Sequence, residues 1–166
     1  MIGISGINGA GKTTLAKILS KEFNCPIVTL VDSYIGKPNE IKIAITRQWR
    51  LLRAPRKCIL DRCWLDRKVY TKFFNTELIS KIFCPFERKP QMTIFIDEKP
   101  EIAYKRQDNF SLEELKILRE MYLEEIAKYE GDLLIYRKYI ILVRWNFWKY
   151  WLIHENLRLS RSMLNL

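Results

Sequence analysis

Short apolar runs alternate along this chain with longer segments of helical periodicity. The runs fall at Met1 to Ser5, Pro26 to Val31, Lys57 to Leu60, Met92 to Ile96 and Tyr139 to Val143. Each has the length and near-continuous apolar character of a strand covered on both faces. Among the intervening segments the clearest helix start is Ser111, with Glu114 three residues on as a capping box and Phe110 and Leu115 placed as a hydrophobic staple. From there Leu115, Leu118, Tyr122, Ile126 and Tyr129 recur on one helical face, a stripe that reads as core, and Gly131 offers a stop. The alternation predicts an α/β fold of three layers, a five-stranded parallel sheet flanked by helices, with ligands beyond the carboxyl ends of the strands.

Composition narrows this to one unit. With 166 residues, 48% of them hydrophobic, the chain suffices for one well-buried core, and a single domain over residues 1–166 is expected. The stretch YIILVRWNFWKYWLI at residues 139–153 is apolar and aromatic, but Arg144, Asn146 and Lys149 fall centrally. It is also shorter than the roughly 20 residues needed to span a bilayer, so a buried strand followed by a helix is expected and no membrane partner. The start of the chain has no charged, apolar and small-residue succession of a secretory leader, which makes the cytoplasm the expected location. Cys25, Cys58, Cys63 and Cys84, with His154 as the sole histidine, show no zinc spacing and read as reduced thiols.

The first strand runs directly into Gly6-Ile7-Asn8-Gly9-Ala10-Gly11-Lys12-Thr13, a GxxxxGK[ST] loop, and a helix-forming segment follows. Glycines let successive backbone N–H groups turn inward around phosphate oxygens, while the helix directs its positive end at the same anion. Lys12 is expected to reach the β- and γ-phosphates of ATP, the Thr13 hydroxyl to help hold Mg²⁺, and Thr14 to complete the cradle. The formal charge of +10 is uneven: the stretch from Lys42 to Lys72 is basic, whereas Glu98 to Asp132 carries more acids than bases. Such a face suits a polyanion, and a site for two phosphorylated nucleotides accounts for it, so nucleic acid is the disfavoured partner.

Asp32, Asp61 and Asp97 each follow a strand, and two readings compete for them. In one, TIFIDE is the apolar run plus acid pair of a hydrolytic ATPase, with Asp97 on magnesium and Glu98 orienting water. In the other, a phosphotransferase is centred on Asp61-Arg62, the aspartate serving the metal shell and the arginine offsetting charge as the γ-phosphoryl group moves.

The segments ILDRCWLDRKVYTKFF and IFIDEKPEIAYKRQ favour the second reading. They resemble the thymidylate kinase family and, more broadly, nucleoside and nucleoside monophosphate kinases, over most of the chain to about Tyr129. The resemblance implies a P-loop NTPase fold of the nucleoside monophosphate kinase type, with an acceptor region at about 33–56, a short lid at about 105–111 and a homodimer. It implies that Asp61-Arg62 is the DR motif, that Asp97 ends the fourth strand without holding magnesium, and that Arg106 lies over the donor. Arg47 would grip the acceptor and Tyr70 would form part of the base pocket, with Tyr34 and Trp49 as further candidates for stacking. This chain departs from the family in carrying Asn8 where an acid is usual and Gln107, Asp108 and Asn109 where lid arginines usually continue. After the second strand stands Leu-Val-Asp-Ser-Tyr, which resembles nucleoside kinases and would make Asp32 a general base toward a 5′-hydroxyl.

The expected activity is therefore Mg·ATP-dependent transfer of the γ-phosphate to a nucleoside monophosphate, with dTMP the first choice. A deoxynucleoside kinase using Asp32 is the near alternative, and a small ATPase acting on nucleic acid is the alternative from another class.

Overall fold

The computed structural model describes residues 1–31, 40–83, 85–107, 109–129, 132–137 and 140–144. The elements follow one another as β1 (Ile2–Gly6), α1 (Lys12–Glu22), β2 (Ile27–Thr29), α2 (Glu40–Arg53), β3 (Ile59–Asp61), α3 (Trp64–Phe73), α4 (Glu77–Phe83), β4 (Met92–Ile96), α5 (Pro100–Tyr104), α6 (Leu112–Ala127), β5 (Leu133–Arg137) and β6 (Ile140–Arg144). Among the described residues they build one six-stranded sheet in the order β2-β3-β1-β4-β5-β6. The first five strands are mutually parallel, as expected, and helices flank them.

The strand with the phosphate loop lies inside the sheet because both its faces are apolar or small. Ile4 is 0% exposed, and Ser5 is equally buried. Register sets Ile4 opposite Asp61 on one side and Ile94 on the other. Asp61 and Asp97 thus approach the same loop from opposite neighbours.

The fifth parallel strand is Leu133–Arg137, not the run from Tyr139 to Val143 that the pattern suggested. That later run supplies β6, which pairs antiparallel with β5. Only Lys138 and Tyr139 separate the two strands in sequence, a connection long enough for an antiparallel pair, whereas a parallel crossover needs a dozen or more.

In α6 the Ser111 hydroxyl accepts from Glu114 N–H at 3.2 Å, and Glu114 Oε2 accepts from Ser111 N–H at 2.8 Å. Such a cap stabilises a helix by about 1 kcal/mol. Phe110 and Leu115 are both buried, as a staple requires, and so are Leu118, Tyr122 and Ile126. The helix ends at Ala127; Gly131, proposed as its stop, lies outside the described residues, as do the tail from 145 onward and Asp108. No described helix is long and apolar enough to cross a membrane.

Candidate active site

Gly6, Gly9 and Gly11 have φ of 151°, 80° and 92°, so the chain between β1 and α1 turns through backbone space that residues with a Cβ rarely enter. Gly11 is the N-cap of α1 and contributes no side-chain cap, and the first turn carries no acid. The N–H groups there are consequently left for an anion, with the positive end of the helix behind them. A cleft of about 550 Å³ opens over this loop. Asn8, Gly9, Gly11, Lys12, Thr13 and Thr14 line its floor, Thr29, Val31, Asp61 and Arg62 one wall, and Arg106, Gln107 and Asn109 its rim.

Lys12 is 6% exposed, and its ammonium donates to the carbonyls of Gly6 at 2.8 Å and Ile7 at 2.7 Å. Burial, reinforced by the Arg62 guanidinium, lowers its pKa to about 7, although Asp66 and Asp61 pull the other way. The unfolded chain therefore binds a proton that the folded one lacks between about pH 7 and the ordinary value of 10.5, and stability conferred by this group rises with pH across that window. A polyphosphate beside the ammonium restores the proton. Calorimetric titration with Mg·ATP at pH 8, in buffers of different ionisation enthalpy, should accordingly show uptake approaching one proton, and at pH 6 almost none; equal values at both pH values would contradict a neutral resting lysine.

Thr13 Oγ1 donates to Asp61 Oδ2 at 2.9 Å. Asp97 is instead held by Arg119 through two bonds, Nε to Oδ1 at 2.7 Å and Nη2 to Oδ2 at 3.2 Å. Glu98 accepts from Arg106 Nη1 at 3.0 Å. Of the two strand-end acids that the structure describes, Asp61 is thus the one bonded to the threonine that follows the lysine. Asp32 and Tyr34 lie outside the described residues.

A magnesium ion fits this donor set. Thr13 and Asp61 offer two hard oxygens at the cleft, and Mg²⁺ characteristically takes one or two protein oxygens, completing its shell with phosphate oxygens and water. No cluster of three or more acidic, cysteine or histidine groups able to hold a metal occurs among the described residues.

Arg62 has a left-handed backbone, φ 69°, unusual for a residue with a side chain. Its Nη2 donates to Asn8 Oδ1 at 2.7 Å. The same oxygen accepts from Tyr70 OH at 3.2 Å. Asn8, noted in the sequence as a departure from an acid, thus tethers both members of the DR-plus-aromatic pattern to the phosphate loop.

Other residues singled out in the sequence are divided between the core, the surface and the cleft. Tyr70 is 0% exposed and sits among Phe74, Phe110 and Tyr122, with its hydroxyl pushed above the ordinary phenol range by burial. It is a core aromatic touching the loop and does not line the cleft. Arg47 is buried and donates to the Cys63 carbonyl at 3.2 Å, behind the DR motif. Trp49 is half exposed with Arg53 stacked 3.7 Å from its ring centre, neither in the core nor at the cleft. Arg106 lines the cleft, donating also to the Gly9 carbonyl at 3.4 Å. Ala10 is buried and donates its N–H to the Ile7 carbonyl, closing the loop's turn. Cys25, Cys58 and Cys63 are buried free thiols, and burial raises Cys63 to about 12, which leaves it unreactive.

The sequence reading missed Thr29 and Val31 as cleft residues and Asp66 as a buried acid. For Asp66 a signal existed: it is the third residue of α3, where a carboxylate can cap the helix, and its side chain does accept from Cys63 N–H at 3.1 Å.

The model of the ATPase family associated with various cellular activities (AAA) matches residues 2–158. No curated protein matches the sequence. Among solved structures, deoxyadenosine kinase from M. mycoides with bound dATP aligns with a TM-score of 0.62 at 14% identity, covering 99% of each chain. The same kinase with dCMP and a flexible dCDP gives 0.61 at 16%, covering 99% of this chain and 97% of that one. YorR protein from Bacillus subtilis, in complex with phosphorylated GDP, gives 0.54 at 18%, covering 99% and 98%. At these identities the structural likeness establishes a shared fold. The phosphate loop, its place at the sheet's centre and the extent of the family match together show that the chain belongs to the P-loop ATPase family associated with various cellular activities.

Proposed function

We propose that the protein is a Mg·ATP-dependent nucleoside or nucleotide kinase, passing the γ-phosphoryl group to a nucleoside or its monophosphate. The observation that carries this is the bond from Thr13 to Asp61, next to an Arg62 held on the loop by Asn8. It supports a metal shell on Asp61 and a phosphoryl-facing arginine beside it. The rival reading, nucleic acid-associated hydrolysis by Asp97-Glu98, is favoured by the family match. In its disfavour both acids are engaged by arginines.

On the kinase reading Lys12 and the loop N–H groups hold the donor phosphates, and Thr13 and Asp61 hold magnesium, which supplies charge neutralisation when bound. Arg62 faces the transferring group, and Arg106 with Gln107 closes the rim against water. The kinases of like fold favour a deoxynucleoside acceptor at least as much as dTMP, and on that version Asp32 takes the proton from the 5′-hydroxyl. Exposed Ile41, Ile45, Trp49 and Leu52 on α2, beside exposed Leu78 and Ile82 on α4, support a homodimer through these helices; Trp49→Lys should then halve the mass measured by light scattering, and an unchanged monomer in the wild type would dismiss the dimer.

The activity test supplies Mg·ATP with deoxynucleosides, their monophosphates or single-stranded DNA, following ADP and phosphorylated acceptor together. The expected result is ADP in equal amount to product with one acceptor class. ADP release that depends on DNA alone, without phosphorylated product, would overturn the kinase reading.

A further inference from the structure

One buried acid makes more contacts than its capping role requires. Asp66, on the first turn of α3, is 1% exposed. Its Oδ2 accepts from the Ser5 hydroxyl of β1 and from Cys63 N–H. Its Oδ1 accepts from the Tyr122 hydroxyl of α6 at 2.8 Å and lies 3.8 Å from Arg62 Nη1. Donors from residues 5, 63 and 122 therefore converge on one carboxylate. Capping α3 needs only the Cys63 contact, and an uncharged acceptor would serve the two hydroxyls. A buried full charge is costly unless a cation answers it, and the guanidinium in contact with it is that of Arg62.

Arg62 is thus flanked on two sides, by the Asp66 carboxylate at an ion-pair distance of 3.8 Å and by Asn8 Oδ1 of the phosphate loop, hydrogen-bonded at 2.7 Å, while its side chain lines the cleft. We propose that Asp66 is a positioning residue for Arg62: a carboxylate fixed by β1 and α6 holds the guanidinium against Asn8 at the angle from which it meets the moving phosphoryl group. Ser5 and Tyr122 act through Asp66, tying the aim of Arg62 to the strand that ends in the loop and to the helix that follows the rim. This role rests on the phosphotransfer reading, and the experiment separates the two.

The test is a double-mutant cycle with Asp66→Asn, Arg62→Ala and the pair, following kcat and KM for ATP. Aspartate to asparagine keeps the shape but removes the charge and turns an NH₂ toward groups that themselves donate. The expected result is a fall in kcat of about tenfold to a hundredfold, the scale of a misplaced catalytic group, with KM for ATP near the wild-type value. In the Arg62→Ala background the same change should add less than about twofold, since groups acting as a unit are not additive. Equal losses in both backgrounds would show a merely structural role and overturn the proposal, as would no loss in either. Should Asp66→Asn fail to fold, Tyr122→Phe removes one anchor at nearly constant volume. A several-fold kcat loss that disappears without Arg62 is then expected, and a loss that persists without Arg62 overturns the role. A wild-type protein that phosphorylates no acceptor overturns the kinase reading and this role with it; active wild type with additive variants overturns only the role.

Discussion

Replacing Lys12 with alanine is expected to lower nucleotide turnover by about a thousandfold, at the upper end of what loss of one preorganised charge-stabilising donor costs. With phosphate bound, the Lys12 ammonium is the cation that the loop encloses, and two carbonyls at 2.7 and 2.8 Å hold its nitrogen in place beforehand. Arg62 and Arg106 approach from the wall and the rim, so neither replaces it at the phosphates. Stability should move differently from activity. Wild-type protein carries the cost of a buried amine that folding deprotonates, and that cost grows as pH falls from about 10.5 toward 7. The melting temperature of Lys12→Ala relative to wild type should therefore rise over the same interval and level off below it. Turnover within tenfold of wild type would remove Lys12 from the mechanism, and a pH-independent difference in melting would contradict its neutral state.

Gly9→Ala should produce the largest stability loss among the loop glycines. A Cβ there would come 2.3 Å from the Ala103 carbonyl oxygen and 2.9 Å from its carbon. These are backbone atoms of α5, pinned at its start by Pro100 and buried at Ala103 itself, so the collision has no side chain to move aside. Overpacking of this sort costs about 1–3 kcal/mol, and the left-handed φ of 80° adds about 1–2 kcal/mol. Gly11→Ala is the control: φ is 92°, but a Cβ meets nothing within 4 Å, leaving the conformational cost alone. Urea denaturation should rank Gly9→Ala well below Gly11→Ala, and equal midpoints would mean that contact with α5 does not constrain the loop. Nucleotide binding should follow the same order, because moving α5 also moves Arg106 at the rim.

The parts of the site legible in the sequence were those fixed by local spacing. The loop from Gly6 to Thr13 could be placed because its chemistry is a matter of consecutive backbone groups. The capping box at Ser111 and Glu114 was readable for the same reason. Asp61-Arg62 was found through a resemblance, and its adjacency to Thr13 through the fold. By contrast the surroundings of Tyr70 and Arg47 were not legible: one is packed among aromatics and the other bonded to the Cys63 carbonyl. Neither outcome is written in the neighbouring residues, because each depends on which helix covers that part of α2 or α3. The fifth parallel strand was misplaced because apolar periodicity does not distinguish Leu133–Arg137 from Ile140–Arg144; chain reversal between them depends on two intervening residues.

The sequence by itself determined a phosphate-binding loop between a buried strand and a helix, the α/β alternation and the chemistry available at the strand ends, since these follow from periodicity and backbone geometry over a few residues. Only the tertiary structure decided which carboxylate serves Thr13, that Asn8 holds Arg62, and that Ser5, Asp66 and Tyr122 meet. Those pairings join residues about 50 to 60 positions apart, and strand order and helix packing, not spacing along the chain, bring them within bonding distance.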